Sequence, residues 1–233
     1  MQSYLEAELT RLRERILKMG ALVEQQISHS ITALIDQDTT LARQTIENDH
    51  HVNAIDVEID EECVRLLALY HPVGRDLRFI TTAMKITTDL ERMSDLSEDI
   101  CERVIELAEE SLSTPDEEIR RIADAAQQMV RKTLHAFVNY DATLARSVCA
   151  DDELIDHLTH QIFMDLLALM IRESQIVTRA IRMSFVAKYL ERIGDHATNI
   201  AEMVVYMVEG KIIRHTQITP SAPMHPKDRA QSH

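Results

Sequence analysis

The sequence predicts an all-α protein built as two tandem antiparallel three-helix bundles related by internal duplication. Three observations predict it. Apolar residues recur at helical spacing through nearly the whole chain. Turn formers and aromatics are scarce: 4 Gly, 5 Pro, no Trp and 4% aromatics in 233 residues. A sheet-rich fold needs glycine in its hairpins and favours aromatic strands. Third, the second half of the chain repeats the first.

The helices follow in order. The first spans 3–35 and stops at "DQDTT"; the second spans 38–70 and ends at "YHPVGRD", where Pro72 has no N–H to donate and Gly74 can turn. The third covers 76–110. In "SLSTPDEE", Thr114 reads as an N-cap, Pro115 as the first helical residue, and Asp116 to Glu118 complement the helix dipole. The fourth helix then runs to 139, the fifth over 141–172 and the sixth over 175–209, with Gly210 placed to cap it. Short joints make neighbouring helices antiparallel. The first bundle is therefore expected over 1–112, the second over 113–213, and a disordered tail with three prolines over 214–233.

The duplication is specific. "LLAL" occurs at 66–69 and 166–169, and "LER" at 90–92 and 190–192. "DTTLAR" (38–43) matches "DATLAR" (141–146) at an offset of 103, so the first copy holds three extra residues before the offset settles at 100. Two seams step alternately by four and three residues, the heptad spacing of left-handed packing. One reads Ile86, Leu90, Met93, Ser97, Ile100, Val104, Leu107; the other Val186, Leu190, Ile193, Ala197, Ile200, Val204, Met207.

Beside each seam runs a row of acids: Glu91, Asp95, Asp99 and Glu102, then Glu191, Asp195, Asn199 and Glu202. Like charges at i, i+4 cost a few tenths of a kcal/mol on an exposed helix, about 0.2–0.5. A cation removes that cost, and carboxylate and amide oxygens suit hard ions such as Mg²⁺, Ca²⁺, Mn²⁺ or iron; Zn²⁺ completes the candidates. The bland alternative is a solvated face paired with Arg92, Arg103 and Arg192. Two rows at equivalent positions favour the metal. Neutral Asn199 predicts weaker binding in the second bundle.

The formal net charge of −14 disfavours nucleic acid and anionic lipid and suits cations and basic protein surfaces. Three cysteines without a CxxC pair predict a reducing compartment, with Cys63 and Cys101 in the core. The polar N-terminus predicts no signal peptide, and no stretch matches the roughly 20 apolar residues of a membrane span. No catalytic motif is visible, so no catalytic or cofactor-binding residue is assigned. "ENDH" (47–50) has the Glu-x-x-His form of di-iron bundles, but a second copy is missing. "HH" (50–51) and the pair His157 and His160 read as structural. Arg75 and Arg78 in "PVGRDLR" have no counterpart in "RESQIVT" (172–178); they read as partners of the acids at 56–62, or as one asymmetric contact site.

"LLALYHPVGRDLR", "LERMSD" and "FVAKYLERIGDHATNIAEMVVYMVEG" give the chain a strong resemblance to the PhoU family, over residues 3–212. The resemblance implies two three-helix bundles with an E/D-x-x-x-D metal motif in each, here Glu91 with Asp95 and Glu191 with Asp195. Ser94 stands where the family pattern has glycine. It also implies a cytoplasmic negative regulator of phosphate-starvation signalling, expected as a homodimer. Its implied partners are a phosphate-sensing histidine kinase and the ATPase subunit of the phosphate ABC transporter. The alternatives are a metal-dependent carboxylate-bundle enzyme and a purely structural scaffold.

Overall fold

Helices account for every regular element of the computed structural model, which describes residues 2–108 and 117–213. They are α1 (Gln2–Asp36), α2 (Thr39–Asn48), α3 (His50–Tyr70), α4 (Gly74–Ala108), α5 (Glu117–Asn139), α6 (Ala142–Arg172) and α7 (Val177–Glu209). Among the described residues there is no strand. Helices α1 to α4 form one bundle and α5 to α7 the other. The expected cap at Thr114 and Pro115, the boundary at 112/113 and the tail from 214 fall outside the described residues.

The joints repeat as the sequence does. Gln37 and Tyr140, 103 residues apart, both take a left-handed backbone with φ 53°. The next residue's N–H closes on the preceding helix each time, Asp38 on Ala33 and Asp141 on Ala136. Each aspartate then caps the following helix: Asp38 accepts from Thr40 and Leu41, and Asp141 from Leu144. Gly210 caps α7 with φ 72°, as expected.

One expected helix arrives as two. The span 38–70 is interrupted at Asp49, where Asp49 N–H bonds to Ile46 and Val52 N–H to Asp49, both three-residue steps. The interruption lies inside the stretch that carries the three extra residues. Tightened turns there absorb nearly one helical turn without a Gly or Pro.

Both seams face inward. All fourteen residues are buried except Leu107, which packs on the core while partly exposed. Cys63 and Cys101 are fully buried, and burial pushes both thiols up to about 12, so neither is a thiolate at neutral pH.

The bundles meet along α1 with α5 and α4 with α7. Gly20 lies so close to Leu134 that a Cβ would sit 2.7 Å from its side chain. Helices α4 and α7 run antiparallel about a centre at 94 and 194. Asp89 meets Asn199 and His196 at 3.4 and 2.7 Å, and Glu106 meets Arg182 at 3.0 Å. On the opposite side of the centre, Asp99 is paired electrostatically with Arg103 and Arg192 and faces Tyr189. Residues equally far from the centre therefore oppose each other, as a pseudo-twofold requires.

Candidate metal centres in two unlike copies

Each acidic face is completed by a second helix. In the first bundle Glu91 and Asp95 share theirs with Asp49 and Asp56. Burial raises the Glu91 carboxyl, with Asp95, Asp56 and Asp49 adding repulsion against Arg92. Arg92 bridges Glu91 at 3.5 Å and Asp95 at 3.0 Å. In the second bundle Glu191 and Asp195 share theirs with Asp152 and Asp156. Burial, then Asp156 and Asp195, push the Asp152 carboxyl up to about 6. Asp195 is raised by burial and then by Glu191. Lys188 donates to Glu191 at 2.7 Å.

The four partner acids form a hidden repeat. Asp49 and Asp152 correspond at the offset of 103, and Asp56 and Asp156 at 100. The three extra residues separate the first pair by seven positions and the second by four. Seven and four positions both return to one face of a helix. The spacing Asp-x₆-Asp against Asp-x₃-Asp was the signal available in the sequence.

The copies differ in how the innermost acid is held. Asp49 is buried, accepts from Ser94 at 2.6 Å and from Asn53 at 2.7 Å, and the Ser94 hydroxyl also contacts Gln26. At the equivalent place Gly194 offers no side chain. A Cβ there would sit 2.9 Å from Ile155 and 3.8 Å from Asp152 Oδ1. That oxygen and the Thr198 hydroxyl beside it are both buried; Thr198 holds the carboxyl down a little against the effect of burial, but the two do not close a well-formed hydrogen bond. A hard cation fits this arrangement: four carboxylates repel one another, and the inward oxygen has a poorly placed Thr198 hydroxyl as its donor. Asp49, already satisfied, fits a cation less well. Among the described residues, no three carboxylate, imidazole or thiol groups stand close enough to grip an ion as they are, so binding requires the side chains to draw together.

Four of the eight acidic-row residues lie elsewhere. Four residues advance a helix about 400°, so after two steps a side chain has turned roughly 80° off the starting face. Asp99 and Asn199 thus fall in the interface between bundles. Glu102 pairs with Arg103 at 3.1 Å. Glu202 lines a small cavity between α4 and α7 with Lys85 and Tyr206. Asn199 donates its side-chain N–H to Asp89 across that interface at 3.4 Å.

The two arginines after Pro72 do not pair with the acids at 56–62. Arg75 lies over the Tyr140 ring at 5.0 Å, beside Arg13 at 4.5 Å, and Arg78 rests against Gly210. Glu58 and Glu62 pair instead with Arg15, and Glu62 also with Arg65. His50 of "ENDH" turns back to the Glu47 carbonyl and packs on His51. Among the described residues one helix is long and apolar enough to cross a membrane: α6 holds an 18-residue window of mean hydropathy 1.3, of which 22% is buried. Asp156 and Asp165 interrupt the run and hide it in the sequence.

The PhoU domain family matches residues 16–104 and 119–204. The chain belongs to the PhoU family. It is 41% identical over 214 residues to the Pseudomonas aeruginosa "Phosphate-specific transport system accessory protein PhoU homolog", covering 91% of this chain and 88% of that one. The crystal structure of PhoU from Pseudomonas aeruginosa superposes with a TM-score of 0.86 at 41% identity, over 88% of this chain and 99% of that one. That of the phosphate transport system regulatory protein PhoU from Streptococcus pneumoniae gives 0.84 at 31%, over 89% and 98%. These PhoU relatives are named as accessory and regulatory proteins.

Proposed function

We propose that this PhoU-family protein is a cytoplasmic, non-enzymatic adaptor of phosphate transport. It represses phosphate-starvation signalling by coupling the ATPase subunit of the phosphate ABC transporter to the sensor histidine kinase, and it binds a hard cation on its acidic faces, the second more tightly. The observation that carries the regulatory reading is near-full-length similarity to proteins named for phosphate transport. The metal reading rests on Asp152, whose buried oxygen lies among converging carboxylates with a poorly placed Thr198 hydroxyl as its donor.

A carboxylate-bundle oxidase is disfavoured by the single Glu-x-x-His, whose histidine bonds to the backbone of its own turn. Deleting the gene should leave phosphate-starvation genes on in high phosphate, read by a reporter, and inactivating the kinase should silence them again. Normal repression in the deletion strain would remove the adaptor reading. For the metal, calorimetry with Mn²⁺ should show binding that Asp195→Asn weakens more than Asp95→Asn. Equal binding by both variants and the parent would make the acidic faces merely solvated.

A further inference from the structure

The apolar window of α6 is under-buried. Phe163, Leu167 and Ile171 repeat every fourth residue along it, and Ile181 and Phe185 answer them from α7; all five are between 38% and 78% exposed. Phe163 and Phe185 line one cavity of about 530 Å³ between the helices. Together they flank a groove with apolar ridges on both sides. Exposed apolar faces of this kind mark interaction sites.

The duplication supplies an internal control. The equivalent positions in the first bundle are Cys63, Leu67, His71, Thr81 and Lys85. Cys63 is buried, and three of the others are polar or charged, so the first bundle has no such groove. The second bundle's ridges are not needed to build the fold.

One end of the groove is acidic. Asp156 and Glu191 line the same cavity, with Asp152 and Asp195 close behind them. His160 lines it too, and the nearby cation, Lys188, is already engaged with Glu191. An anionic lipid surface would meet this end and a chain of net charge −14 with repulsion. A second copy would bring the same acids and the same net charge to the contact. A basic partner gains from both.

We propose that the α6/α7 groove docks an amphipathic helix of a partner protein, apolar along one side and carrying Lys or Arg at the end that reaches Asp156 and Glu191. From Phe163 to Ile171 is roughly 12 Å at 1.5 Å per residue, which accepts apolar anchors at i, i+4 and i+7. Asp156 lies seven residues, roughly 10 Å, beyond Phe163, so the basic residues follow the anchors by about two turns. This deepens the adaptor reading and rests on it only for the existence of a protein partner.

The probe is a synthetic 18-residue helical peptide with three Leu anchors at that spacing and two Lys in its last two turns. Its twin carries Glu in place of Lys. Binding to the full-length protein is followed by fluorescence anisotropy at low salt without added divalent metal. The Lys peptide is expected to bind, and Phe163→Asp or Phe185→Asp to weaken it at least tenfold. Asp156→Asn should weaken the Lys peptide several-fold but not its twin. Val64→Asp, on the exposed face of the first bundle, should change nothing. Circular dichroism melts check that the variants fold. No binding by the wild type, equal binding of both peptides, or indifference to Phe163→Asp overturns the proposal. So does a wild-type dimer that Phe163→Asp dissolves in sedimentation, which assigns the groove to a second copy. Flotation with phosphatidylserine vesicles that Phe163→Asp abolishes assigns it to lipid and overturns the proposal equally. Peptide binding and the starvation reporter fail separately, so loss of one is not loss of the other.

Discussion

The two bundles share joints, seams and four acids each, yet treat the innermost acid in opposite ways. In the first, Ser94 and Asn53 satisfy Asp49 and leave little for a ligand to add. In the second, Gly194 lets Ile155 close in, and the buried Asp152 oxygen has a poorly placed Thr198 hydroxyl beside it. Two side-chain differences, Ser94 against Gly194 and Asn53 against Asp156 at the offset of 103, separate a self-satisfied polar cluster from one that an external charge would complete. Equivalent ligand residues do not make equivalent sites; the residues supporting them decide.

The largest effects should show that the frameworks are interchangeable. Leu90→Ala and Leu190→Ala each remove a fully buried seam residue and should each cost about 2–5 kcal/mol in chemical denaturation. A cost confined to one bundle would break the equivalence of the seams. Next comes metal. If a cation completes the second face, Mn²⁺ at a hundred times its dissociation constant should add about 2.7 kcal/mol. Asp152→Asn should remove most of that, and Asp49→Asn little. The reverse order would assign the tighter site to the first bundle.

Ser94→Ala should cost about 1–3 kcal/mol, because the buried Asp49 carboxylate loses the Ser94 hydroxyl donor without replacement. It should also raise Mn²⁺ affinity in the first bundle; an unchanged isotherm would show that Ser94 does not set the contrast. Smaller still is the pH dependence of Asp152. A carboxyl raised in the folded state contributes stability in full below its unfolded pKa, near 4, and loses it as pH rises through about 6. Metal-free protein should therefore melt higher at pH 5 than at pH 7, by about 1 kcal/mol once solvent screening is allowed for. Asp152→Asn should flatten that slope and raise the melting point at pH 7. A slope that survives the substitution would point to another acid.

Much of the fold was legible because local chemistry marks it. Gly210 ends the last helix, and the seam spacing alone identifies the buried faces of α4 and α7. The interruption at Asp49 was not legible, since tightened turns there use neither Gly nor Pro. For the site, Glu91, Asp95, Glu191 and Asp195 were visible as i, i+4 pairs. Asp99 and Asn199 misled because a four-residue step is not a whole number of turns, and the error grows along the row. Asp49, Asp56, Asp152 and Asp156 were hidden by the insertion, which shifts the offset between the two members of each set. The packing of α4 on α7 was obscured because Asp89, His196 and Asn199 look like surface residues until they meet one another.

The pseudo-twofold between α4 and α7 has an evolutionary consequence. Residues equally far from 94 and 194 oppose each other, which is the geometry of an isologous dimer carried within one polypeptide. Two separate bundles would have to find each other by diffusion; a covalent link makes the encounter intramolecular, at an effective concentration on the order of millimolar. Fusion also lifts a constraint. In a true homodimer every substitution strikes both sides of the axis at once, so no change can help one half alone. Joined end to end, the halves became free to specialise: one could keep a hydroxyl where the other kept none, and one could grow an apolar groove that its twin never needed.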